Sequence, residues 1–186
     1  MTHLTDDIDE LSDRRSGQDR RREDDPAARR TAAELDPIAA WPLVIPDHIL
    51  ELRCSDPWMQ VVHRSLLAEH DGEHDDAGRA WDERVVWQIS GLDPTSAEPA
   101  HVGAVGVIAY HRVLGRLTDF TFHQQVTSIE SGRGPIVEAH LRTTAQRHGR
   151  RLDRPTLLIF ELSSLRVRRV TEIPGDLAAW TAFWAP

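Results

Sequence analysis

The chemistry most legible in this sequence centres on a pair of glycines. Gly132-Arg133-Gly134 is followed by Pro135. A Gly-x-Gly turn that opens a helix exposes unpaired backbone N–H groups at the positive end of the helix dipole. With no side chains in the way, a phosphate could approach that backbone closely, with Arg133 beside it. The same glycines also suit any tight strand-to-helix turn, so the motif carries two readings. A second cluster, His70-Asp71-Gly72-Glu73-His74-Asp75-Asp76, gathers six potential ligands for a divalent metal within seven residues. Its spacing matches neither a zincin helix nor an EF-hand loop, so a solvated acidic loop is favoured and no metal is assigned.

Residue types exclude other chemistries. The 186 residues contain neither lysine nor asparagine, and all 22 basic side chains are arginine. A Schiff-base lysine, a P-loop lysine and a lysine general base are therefore ruled out. Cys54 is the single cysteine, which excludes an internal disulfide and a multi-cysteine metal centre. At a strand end, with no evident histidine partner in sequence, it reads as a small buried hydrophobe rather than a nucleophile. No serine lies in a Gly-x-Ser-x-Gly elbow, so hydrolase chemistry has no support. The formal charge of −8 and pI of about 5.6 argue against a nucleic-acid binder. Local arginine clusters (Arg20-Arg21-Arg22, Arg150-Arg151, Arg168-Arg169) leave a phosphate-bearing small ligand open. No run approaches 18 apolar residues and the first residues lack the order of a secretory signal. The expectation is a cytoplasmic protein with no membrane partner.

The elements that must position these residues begin after a charged segment. Residues 1–40 hold 11 acidic and 7 arginine side chains among few large apolar ones, too few to offset ordering entropy, so this stretch is expected to be a disordered arm. Residues 41–186 are expected to form one domain. His48–Cys54 reads as a first strand. Ser55-Asp56-Pro57 is a helix start, and Trp58, Val61, Val62, Ser65 and Leu66 form a helical stripe to about Glu69. A polar loop to Glu83 precedes a strand at Arg84–Ser90, with Val85, Trp87 and Ile89 alternating, and Gly91–His101 is a loop. The small-apolar run Gly103–Tyr110 suits a central strand covered on both faces. In the strand Leu117–Ser128, residues Thr118, Phe120, Phe122, Gln124 and Val126 share a face. After the glycine turn, a helix to His148 is expected, with Val137, Leu141 and Ala145 on one face and Gly149 ending it. Strands follow at Thr156–Leu162 and Leu165–Ile173. Gly175-Asp176 caps a short helix carrying Leu177, Trp180, Phe183 and Trp184. The six tryptophans read as core packing. The fold class is α/β (α+β), a mixed, mostly antiparallel sheet flanked by helices.

This succession of strand, helix, three-strand meander, Gly-x-Gly turn, helix and buried strand resembles the GNAT superfamily of N-acetyltransferases. The stretch Ile129-Glu130-Ser131-Gly132-Arg133-Gly134 matches the family's [Gln/Arg]-x-x-Gly-x-[Gly/Ala] turn at its two glycines, with Ile129 where Gln or Arg is usual. The resemblance in element order spans roughly residues 48–162. It implies an N-acyltransferase that uses acetyl-CoA or another acyl-CoA and a small-molecule or protein amine as acceptor. Gly132, Arg133 and Gly134 would hold the pyrophosphate, and the backbone beside Gln125 and Val126 would position the acetyl group. His123 or Glu130, at the strand that feeds the turn, would deprotonate the amine. The competing reading is a non-catalytic interaction protein whose partner is held by residues 1–40 and the aromatic C-terminus.

Overall fold

The structure is a computed structural model that describes residues 43–71, 79–95 and 100–186. The expected charged arm at 1–40 and Gly72–Asp76 of the acidic cluster lie outside the described residues. Seven strands form one sheet: β1 (Leu43–Val44), β2 (Trp81–Ile89), β3 (Ala100–Val102), β4 (His123–Ser131), β5 (Ile136–Arg147), β6 (Arg150–Ser163) and β7 (Arg166–Pro174). Their order is β1-β4-β5-β6-β7-β2-β3. The β1–β4 and β2–β7 pairs are parallel and the rest antiparallel. The helices are α1 (Asp47–Leu50), α2 (Pro57–His70), α3 (Gly103–Leu117) and α4 (Leu177–Trp184). The α+β class with a mixed sheet holds. No helix among the described residues is long and apolar enough to cross a membrane.

Helix α2 starts where the sequence places it. Asp56 accepts from Trp58 N at 2.8 Å, and Pro57 fills the first helical position, where a missing N–H costs nothing. Its buried stripe of Val61, Val62, Ser65 and Leu66 packs on β4, β5 and β7. Trp81 Nε1 donates to Ser65 Oγ at 2.8 Å, tying the start of β2 to that stripe. Helix α4 is capped by Asp176, which accepts from Ala179 N at 2.9 Å. Trp180, Phe183 and Trp184 are buried, so the aromatic C-terminus is core rather than an exposed patch.

Four expected elements differ; the strand expected from Leu117 begins only at His123, because α3 runs to Leu117 and the chain then turns at Asp119 and Phe120, leaving Phe120 exposed. His48–Cys54 is not a strand, because Asp47–Leu50 winds one helical turn with Ile49 inward. Gly103–Tyr110 is not a central strand but the first half of α3. Its buried residues Val107, Tyr110, His111 and Leu114 repeat at i, i+3, i+4 and i+7. The expected helix after Pro135 is strand β5, paired along its whole length with β6, with Val137, Ala139, Leu141, Thr143 and Ala145 all inward. His148 and Gly149, at φ 48° and 76°, form the two-residue turn into β6 rather than a helix end.

Candidate active site

One polar residue from each of five neighbouring strands reaches the buried face of the sheet. These are Gln124 on β4, Thr143 on β5, Thr156 on β6, Glu172 on β7 and Trp87 on β2, in an otherwise apolar layer. They are bonded in series. Thr156 and Thr143 share a 2.7 Å hydroxyl contact, and Gln124 Nε2 reaches Thr143 Oγ1 at 3.5 Å and Glu172 Oε1 at 3.0 Å. Glu172 Oε2 accepts from Trp87 Nε1 and from the Tyr110 hydroxyl of α3, both at 3.0 Å. A fully buried carboxylate thus faces three donors. Burial still dominates, pushing the Glu172 carboxyl above its usual range against the Trp87, Tyr110 and Gln124 hydrogen bonds, and the nearby Asp93 charge adds to it. Burial, then the Glu172 and Asp93 charges, push the Tyr110 phenol well above its usual range.

A second carboxylate sits beside this row. Asp93 lies in the β2–β3 connection, where its Oδ1 accepts from Thr95 N and Thr95 Oγ1, each at 2.7 Å. That local turn aims Oδ2 at His101 Nε2, also 2.7 Å away. His101 is opposite Trp87 in the β2–β3 register, and its ring stacks on Tyr110 with centroids 4.6 Å apart at 25°. His111 closes the aromatic group edge-on to Trp87 and Tyr110, each at 4.9 Å. His101 Nδ1 makes no hydrogen bond among the described residues. The arrangement therefore presents an imidazole whose far nitrogen is tied to a carboxylate, next to a second carboxyl of raised pKa. Two carboxyl groups in such different settings can take opposite roles in proton transfer.

The residues expected to carry acyl transfer lie elsewhere. Gly132, Arg133 and Gly134 form the β4–β5 hairpin turn, where Gly132 N donates to Ile136 O at 2.9 Å, and a strand rather than a helix follows. The helix dipole that motivated a pyrophosphate cradle is absent there. His123 and Gln125 point to the outer face and are exposed, whereas Val126 is core. Glu130, also exposed, accepts from Ser128 Oγ and lies 3.8 Å from His140. His123 and Glu130 stand at opposite ends of β4, about 23 Å apart along an extended strand. No arginine is among the buried residues described.

No family model matches the sequence, and no curated protein matches it. Solved structures do match. A protein from a soil-derived mobile gene cassette, Bal32a, is 27% identical with a TM-score of 0.61, covering 69% of this chain and 97% of that one. An NTF2-like protein of unknown function from Burkholderia pseudomallei gives 16% identity and 0.59, covering 70% and 99%. A putative SnoaL-like polyketide cyclase from Jannaschia sp. CCS1 gives 18% and 0.54, covering 73% and 99%. The fold is NTF2-like. The GNAT resemblance, and with it the acyl-CoA-dependent acyltransferase reading, is overturned. The alternative of a non-catalytic interaction protein gains no support from these NTF2-like neighbours either. Sequence reasoning put Gln124 on the inner face with Phe122 and Val126, correctly, but did not single it out. Glu172 had a signal too, as a lone carboxyl in phase with inward Val170 on an alternating strand. Asp93 and His101 were passed over because both fell within a stretch read only as loop.

Proposed function

We propose that this chain is an acid–base enzyme of the isomerase or cyclase type, acting on a small cyclic carbonyl compound held against the buried aromatic group. The observation that carries this is the 2.7 Å contact between Asp93 Oδ2 and His101 Nε2, which leaves Nδ1 as the base. Asp93 fixes the tautomer and balances the imidazolium that forms when Nδ1 takes a proton from the carbon next to the carbonyl. Tyr110, held protonated, supplies a hydrogen bond to the developing oxyanion by turning its hydroxyl from Glu172 Oε2, to which it donates in the resting protein. Return of the proton to another carbon gives the isomer, and attack of the enolate carbon on a second carbonyl gives a ring. The aromatic faces of Trp87, Tyr110 and His101 favour a flat, apolar substrate. The Jannaschia protein's description as a putative SnoaL-like polyketide cyclase supports the same class.

Exchange of α-protons in a panel of cyclic ketones dissolved in D2O, followed by NMR, tests this. The wild type should accelerate exchange for at least one ketone, and His101→Ala should lose about 10²-fold or more of that acceleration. Asp93→Asn should fall with it. Wild-type rates equal to buffer across the panel, or an unimpaired His101→Ala protein, would overturn the reading.

A further inference from the structure

The Asp93–His101 pair spans two pieces of chain that need a common anchor. His101 stands on β3, paired to β2. Asp93 stands on a loop that leaves β2 through Gly91, at φ 109°, a backbone that L side chains rarely adopt. The turn at Thr95 fixes the Asp93 side chain only relative to its own loop. Among the described residues, one hydrogen bond from outside reaches residues 91–95 besides the His101 contact itself: Trp180 Nε1 donates to Leu92 O at 2.8 Å. Trp180 is 1% exposed and sits in the middle of α4. That helix is itself held at both ends. Asp176 caps its start, and the Arg147 and Arg150 guanidiniums take the carbonyls of residues 182–186 at its finish. A Cβ at Gly91 would lie 3.0 Å from Leu177 Cδ2, so the loop also rests against the first turn of α4.

We propose that Trp180 is a positioning residue for the Asp93–His101 pair, acting through the Leu92 carbonyl, so that α4 sets the aim of the carboxylate. Loss of its N–H frees the loop to move one residue upstream of Asp93, which loosens the hold of Oδ2 on the imidazole. The importance of this for catalysis rests on the acid–base reading above, but the coupling itself is a property of the folded chain.

The test is the imidazole N–H of His101 in 15N–1H spectra of the full chain. In the wild type the Nε2–H signal should be resolved and slow to exchange with water. Trp180→Phe keeps a buried ring and removes the donor, so exchange should speed about five- to tenfold, the equivalent of one hydrogen bond's net worth. Trp184→Phe is the control. It alters the same helix, but Trp184 Nε1 is buried without a partner, so the His101 signal should not change. Gly91→Ala, which pushes the loop from Leu177, should act like Trp180→Phe and serves if that variant folds poorly. Where α-proton exchange is measurable, Trp180→Phe should lower kcat with little change in KM. A His101 signal unchanged in both Trp180→Phe and Gly91→Ala but lost in Asp93→Asn would overturn the role of Trp180 and leave the pair intact. A signal unchanged in Asp93→Asn would overturn the pair itself.

Discussion

Replacing Glu172 separates what its shape does from what its charge does. Glu172→Leu keeps the volume and removes an acceptor from three buried donors: the indole of Trp87, the hydroxyl of Tyr110 and the amide of Gln124, which keeps Thr143 Oγ1. Each unsatisfied buried group costs about 1–3 kcal/mol. The variant also sheds a carboxyl that is itself unfavourably desolvated, and the Tyr110 hydroxyl can turn to another acceptor. A loss of about 3–5 kcal/mol is therefore expected, a large share of the 5–15 kcal/mol typical of a domain. Glu172→Gln behaves differently. Its carbonyl keeps the Trp87 and Tyr110 bonds, and Gln124 need only turn its amide over to present oxygen to the new NH2 group. Its loss at mildly acid pH should stay within about 1 kcal/mol. Because the folded protein raises the Glu172 pKa, the wild type holds this carboxyl's full contribution below the unfolded value and loses it as pH rises through the folded one. The Gln variant has no such loss. Its stability relative to wild type should thus improve as pH rises, by about 1.4 kcal/mol for each unit separating the two pKa values. Urea unfolding followed by tryptophan fluorescence, at pH 5 and pH 8, measures both effects. A Glu172→Leu midpoint equal to wild type, or a Gln-to-wild-type difference flat with pH, would refute this account of the cluster.

Other outcomes follow from the same geometry. Gly149→Ala, in the β5–β6 turn at φ 76° with open space around it, should cost about 1 kcal/mol in urea from backbone strain alone. Arg150→Ala frees carbonyls at the end of α4 and should lower stability by about 0.5–1 kcal/mol, less at high salt. Asp56 has a pKa lowered first by the Ser131 hydroxyl and then by Trp58 N, so its contribution is present above the unfolded value and fades as pH falls. Thermal melts of Ser131→Ala should therefore approach wild type as pH drops below about 4, the range where an unperturbed Asp protonates.

How far the sequence could be read depended on whether a local pattern was unique. Capped helices were plain, because Asp56-Pro57 and Asp176 announce themselves through side-chain chemistry that has few other uses. The β5 strand was mistaken for a helix because Val137, Leu141 and Ala145 are spaced by four, which satisfies a period of 2 as well as 3.6. The inward Ala139 and Thr143 would have decided it, but small and hydroxylated residues carry little weight in a hydropathy pattern. Gly103–Tyr110 fails for the opposite reason. Its apolar residues are so continuous that no period shows until His111 and Leu114 extend the stripe. The site was less legible still. Glu172 lies 48 residues from Gln124 and 62 from Tyr110, and they meet only through the order of the strands and the packing of α3, which no local spacing encodes.

The row of polar groups across five strands also has a bearing on how the sheet assembles. A strand displaced by one residue exchanges its two faces. In any sheet with one buried face such an error already carries the apolar side chains out to solvent. Here a slip of β4, β5, β6, β7 or β2 would carry Gln124, Thr143, Thr156, Glu172 or Trp87 away from its partners and leave the others buried and unanswered. Each strand thus carries its own mark of alignment, and the marks agree in only one arrangement. The hydrogen bonds that join these five strands make a misaligned sheet expensive, so the same residues proofread the fold.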